Sequence, residues 1–397
     1  MKDIHFTVMG DVAAHLEPLL EQFKAETGLH VRLEPLAWDI GWGQLLNFAL
    51  YGQGPDISEI GSTWVGDFIN MQALHPFTER EAAQLGSPSA YLHPGGESAL
   101  ISADSLKWAV PWLTGARLLY YRRNLLEKAG VEVETAFTSP QAVTQTLDRL
   151  QSAGVSVPWT VPTNHTHTNV LNIASWVWAA GGDFVTPDGK KTLFFQPAAR
   201  QGMRQYFELV RFIPEQARRL GGLEPDDLFI NNTQTAATLS GAWLYEAAET
   251  TLPPDELAQV GFTSPPGASF RGGSYLVVWK HSPNESEAVR LVHFLSRPEK
   301  QAVYAPKLGL TPARREAFAL EPFASHPLWQ SAVAALETSR SFPVIRSWGL
   351  LEDRLSGSLY SIWQELLAEP AQPVDRLLEK YLSPLARMMD ITLGQVH

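Results

Sequence analysis

The chain opens with apolar residues at every second position, Ile4, Phe6 and Val8, which is the period of a half-buried strand. The period then lengthens: Leu16, Leu19, Leu20 and Phe23 share one face of a helix, and Gly28 marks its end. Alternation returns over His30 to Leu36, so the first forty residues predict a β-α-β unit. A second helical stretch, "WGQLLNFALYG", leads through a Gly-Pro-Asp corner into the strand "DISEI". Repetition of strand and helix in this order predicts a parallel sheet covered by helices, whose ligands sit beyond the carboxyl ends of the strands. On that reading Ser62, Thr63 and Trp64, which follow "DISEI", lie in a post-strand loop where a binding cleft is expected.

The same alternation continues downstream. "WAVPWLTGARLLYYRRNLLEKAGV" predicts a strand, a Thr-Gly break, a second strand and a short helix ending at Gly130. Ser139-Pro140 starts a helix that closes at Gly154, and Pro187-Asp188-Gly189 turns an exposed hairpin. "TQTAATLSGAW" predicts a strand, a turn at Gly241 and Trp243 at the strand end. "FRGGSYLVVWK" is a strand entered through paired glycines, and roughly the last fifty residues are mostly helical. No internal repeat, low-complexity segment or long linker interrupts the chain, so its domains must be joined by several short crossings.

Composition narrows the classes. At 397 residues, 45% hydrophobic and 18% charged, the chain is long enough for two or three globular domains. A formal charge of -11 without a basic run argues against nucleic acid as a partner. Thirteen Trp accompany zero Cys, which removes disulfides, thiolate metal sites and thiol catalysis. No apolar run approaches the roughly 20 residues that span a bilayer. The amino terminus enters a strand at once and does not read as a signal peptide, so the protein is either cytoplasmic or a mature domain with Met1 added back.

Taken in order, "LEPLLEQFKAETGLHVRLEPL", "GQGPDISEI", "FINMQALHPFTE", "WAVPWLTGARLLYYRRNLLEKAGV", "LSGAWLYEAAE", "GGSYLVVWKHSPNESEAVRLVHFLSRPEKQ" and "GLTPARREAF" resemble the extracellular solute-binding proteins of ABC sugar importers, the maltose-binding-protein-like family 1. The likeness covers nearly the whole chain and rests on the order of these patterns. It implies an α/β fold of the class II periplasmic-binding-protein type, with two lobes that are each a mainly parallel sheet covered by helices. The implied amino-terminal lobe is 1–113 plus 274–313, the carboxyl-terminal lobe 117–270 plus 314–397, with hinge strands crossing near 113–117, 270–274 and 311–315. Ligand would be trapped between the lobes on closure. The implied partners are a carbohydrate ligand and the ABC permease subunits, the protein itself being a monomer. The implied location is periplasmic, or extracellular and membrane-anchored, with a signal segment absent from this chain.

Candidate ligand contacts follow, each with a structural alternative. Trp64, Trp243 and Trp348 occupy positions where the family places cleft aromatics, whose faces pack on the C–H face of a sugar; core packing is the alternative for each. Trp112 sits at a crossing as contact or hinge packing, and Trp38-Asp39 supplies a platform and an acceptor, or an exposed loop pair. Asp11 accepts hydroxyl hydrogen bonds or caps a helix. Asn164 and His165 fall where the family has polar contacts from the second lobe, while Gly273 and Ser274 offer backbone N–H groups at a crossing. His165 and His167 also form a two-residue metal pair without a third ligand, so neither metal nor cofactor is expected. Phosphate-loop, dinucleotide, serine-hydrolase and zinc-protease motifs are lacking, and no enzyme is expected. Two rivals stand: a glycoside hydrolase using acids such as Asp39, Glu59 and Glu246, and a binder of a cation such as a polyamine.

Overall fold

A computed structural model describes residues 3–92, 107–345 and 347–394, apart from the side chain of Asp39. The opening unit forms as its periodicity dictates. Strand β1 (Asp3–Met9) buries Ile4, Phe6 and Val8 completely, and helix α1 (Ala13–Thr27) buries Leu16, Leu19, Leu20 and Phe23. Gly28, at φ 73°, ends the helix by returning its N–H to the Lys24 carbonyl. Strand β2 (His30–Leu36) then runs parallel to β1, helix α2 (Trp38–Tyr51) follows, and β3 (Ile57–Gly61) joins β1 in parallel from the other side.

The remaining strands are β4 (Val110–Ala116), β5 (Leu118–Arg122), β6 (Ala237–Ser240), β7 (Val260–Thr263), β8 (Arg271–Val278) and β9 (Thr311–Pro312). They form a six-stranded sheet in the order β2-β1-β3-β8-β4-β9 and a three-stranded sheet in the order β6-β5-β7. Parallel pairing is confined to fewer strands than the periodicity suggests. In the first sheet β8 runs antiparallel to β3 and β9 antiparallel to β4; in the second, β5 is antiparallel to both neighbours, and isolated parallel bridges occur at Val157–Thr235, Thr160–Thr238 and Phe270–Arg340.

The chain divides into two compact units. The first comprises residues up to Gly115, Arg271–Glu337 and Ser341–Gly349; the second comprises Ala116–Phe270, Thr338–Arg340 and everything from Leu350. Residues 314–337, expected in the second unit, thus belong to the first. The reason is local: Thr311 and Pro312 pair with Thr114 and Leu113, which keeps the "GLTPAR" segment on the edge of the first sheet. Having re-entered the first unit at Arg271, the chain stays there to Glu337, and Arg340 then donates its backbone N–H to the Ser269 carbonyl at 2.8 Å in the second unit.

Each unit has its own core. In the first, Trp279 meets Phe68 edge-on at 5.4 Å and donates its indole N–H to Ser58 at 2.7 Å. In the second, Trp176, Tyr206, Phe207 and Trp363 pack edge to face with centroids 4.9 to 6.0 Å apart. Ser139 caps the helix Pro140–Ser152 by accepting the Ala142 N–H at 3.1 Å, as the Ser-Pro start predicts.

Candidate functional site

In the first unit the stretch that follows β3 does not present Trp64 to solvent. Gly61 ends the strand, the Trp64 N–H returns to the Gly61 carbonyl at 3.0 Å, and the indole folds back over that strand end. Only 3% exposed, Trp64 packs with Met9, Leu36, Leu45, Val65 and Phe68. The accessible aromatic here is Trp38 at the start of α2, 45% exposed and tilted against Trp64 with ring centroids 5.7 Å apart. Ser62 is buried and gives its backbone N–H to Gly273 at 2.9 Å, while Thr63 is half-buried.

Four further candidates in this unit are engaged in packing or sheet contacts. Trp112 is buried, stacked on Tyr304 at 5.0 Å and set against Phe6 at 6.0 Å. Trp348 is fully buried and stacked on Phe342 at 4.6 Å; it lies in the first unit, not in the far lobe where a second platform was expected. The backbone of Gly273 and Ser274 is committed to β3, with Ser274 opposite Gly61. Gly273, at φ 146°, brings β8 so near β4 that a Cβ would stand 2.1 Å from the Leu113 carbonyl oxygen. Asp11 is exposed after β1, and the α1 cap position falls on Val12 instead. The Asp39 side chain lies outside the described residues.

Glu59 is the chemically unusual group of this unit. It is 3% exposed on β3, accepts the Met9 N–H at 2.9 Å and lies beside Ser274. Burial pushes its carboxyl up to about 7, against the lowering effect of those two hydrogen-bonding neighbours. Asp67 is likewise pushed up to about 6 by burial, although the backbone N–H groups of Ser347 (2.7 Å) and Gly349 (3.0 Å) stabilise its charge.

The second unit assembles its site around Trp243, which opens the helix Trp243–Thr251 two residues past Gly241. The indole is half-buried and donates its N–H to Asp226 Oδ2 at 2.9 Å, and the same oxygen accepts the Ser240 hydroxyl at 2.6 Å. Arg117, immediately before β5, places its guanidinium 4.9 Å from the centre of the Trp243 ring. Burial lifts the Asp226 carboxyl to about 6, opposed by the Ser240 and Trp243 donors and by the Arg117 charge. Tyr206 and Asn172, both buried, stand side by side near the same guanidinium. Asn164 is half-buried with its amide on the Arg219 carbonyl at 2.5 Å, and exposed His165 meets Tyr360 edge-on at 5.8 Å.

Arg117 and Asp226 were missed in the sequence. A lone Arg between "TG" and the apolar run "LLYY", and paired acids in "EPDDLF", were the available signals. A cation entering a buried strand requires compensation nearby.

With two α/β units and an aromatic flanked by an acid and a guanidinium, the architecture is that of a solute-binding protein. The sequence profile of the bacterial extracellular solute-binding proteins matches residues 9–302, and the chain belongs to that family. It is 23% identical over 394 residues to a putative binding protein of Brucella abortus (strain 2308), covering 92% of this chain and 90% of that one. Among solved structures it is similar to an ABC transporter solute-binding protein of Thermotoga lettingae TMO bound with alpha-D-tagatose (TM-score 0.83, 20% identity, 99% and 100% of the two chains). It is also similar to the maltose-bound MalE3 protein of T. maritima (TM-score 0.83, 19% identity, 98% and 99% of the chains).

Proposed function

We propose that the protein captures a sugar or oligosaccharide outside the cytoplasmic membrane and delivers it to the permease of an ABC importer, without transforming it. The observation that carries this reading is the surround of Trp243. Sugar recognition needs an apolar aromatic surface for C–H groups and planar polar groups at its rim for hydroxyls. A half-buried indole with Asp226 and Arg117 beside it supplies both. In the other unit exposed Trp38, backed by Trp64, is the aromatic available for the same task. The sugars named for the similar solved structures support the ligand class, and among the described residues no helix is long and apolar enough to cross a membrane.

Glu59 carries the raised carboxyl that a hydrolase reading would seek, yet it is buried in the sheet and bonded to Met9, where it cannot reach a glycosidic oxygen. A thermal-shift screen of mono- and oligosaccharides tests the proposal, since a ligand at about 100 Kd stabilises the native state by about 2.7 kcal/mol. A shift with a polyamine and with no sugar would overturn it, and steady release of shortened products would reassign the protein to the hydrolases.

A further inference from the structure

The guanidinium of Arg117 has no partner suited to it. It is partly buried, and among the described residues none of its side-chain donors makes a hydrogen bond and no carboxylate lies within ion-pair distance. Loss of solvation draws the Arg117 pKa down to about 10. Asp226 is its chief opposing charge, acting through space, and the Oδ2 of that acid is already taken by Ser240 and Trp243. The cation-π contact of Arg117 with the indole, 4.9 Å from the ring centre, engages the charge but uses none of the N–H donors of the guanidinium fork.

A neutral hydroxyl can accept one hydrogen bond from that fork but leaves the charge uncompensated. A carboxylate accepts two parallel bonds and neutralises the cation, which is the pairing a guanidinium fork matches. A carboxylate paired with that guanidinium would lie beside the Trp243 indole, within reach of a sugar that touches the same ring.

We infer that Arg117 is a specificity-determining residue that binds the carboxylate of an acidic sugar, a uronic acid or an oligomer containing one. This rests on the sugar reading above and narrows it.

Calorimetric titration of the wild-type protein with a panel of uronic acids and their oligomers, each beside the neutral sugar of the same stereochemistry, tests it. At least one acid should bind at least about tenfold more tightly than its neutral counterpart, and the preference should shrink as salt is raised. In Arg117→Met the preference should fall to about twofold or less, with affinity for the acid dropping by a much larger factor than affinity for the neutral sugar; Arg117→Lys, which keeps the charge and loses the fork, should lie between. A neutral sugar bound as tightly as its acid counterpart, or an equal loss of both in Arg117→Met, overturns the inference and leaves the sugar reading standing. If no sugar of either kind binds, both fall. Should Arg117→Met fail to fold, the wild-type preference and Arg117→Lys decide the matter.

Discussion

Gly241 lies so close beneath Trp243 that a Cβ on it would stand 2.0 Å from the nearest ring carbon. No side chain fits at that distance, so the indole of the second unit rests on bare backbone. Gly241→Ala should therefore push the ring off its seat and break its bond to Asp226. The expected outcome is a change in indole fluorescence and at least about tenfold weaker ligand binding, with the unit still folded by far-ultraviolet circular dichroism. Unchanged affinity would remove Trp243 from the site.

Trp64 and Trp38 touch, but they should respond in opposite ways. Trp64 is 3% exposed and enclosed by core, so Trp64→Ala should cost about 3 to 5 kcal/mol in denaturant unfolding. Trp38→Ala removes a ring that is 45% exposed and should cost much less stability while weakening ligand binding several-fold. Equal stability losses in the two variants would contradict the burial difference.

Glu59 makes stability depend on pH in a stated direction. Its carboxyl is raised from 4.5 to about 7 in the folded state, so the fold binds that proton more tightly than the unfolded chain does. Stability from this group is therefore full below the unfolded value and is lost as pH climbs towards about 7, by about 3 kcal/mol in total. Glu59→Gln keeps the shape and removes the titration. Urea unfolding at about pH 5 and about pH 8 should show a larger fall for the wild type than for the variant. Parallel pH dependence in both would show that Glu59 is not the source.

Local features were legible in the sequence wherever one periodicity governed them. The strand-helix-strand opening, the four buried residues of α1 and the Ser139 cap depend on neighbours within a few positions. The direction of an indole at a strand end does not. Trp64 folds inward because Met9, Leu36 and other residues distant in sequence make a place for it. Trp112 is hidden by the same logic against Tyr304, nearly two hundred residues away. Arg117 escaped notice because its significance lies in the ring above it, which belongs to residue 243. That residues 314–337 group with the first unit was hidden for a related reason, since the edge strand before them pairs with residues 113 and 114, nearly two hundred positions away.

The order of strands in the six-stranded sheet also sets a timetable. Strand β8, from residues 271–278, stands between β3 and β4, so the first unit holds a gap at its centre until more than two-thirds of the chain has emerged. Until then the inner edge of β3 is an unpaired row of peptide groups, the kind of edge that recruits wrong partners. The second unit waits longer, because Trp363 of its aromatic core arrives with the last helices. Neither half can therefore complete its core until these late segments have been made.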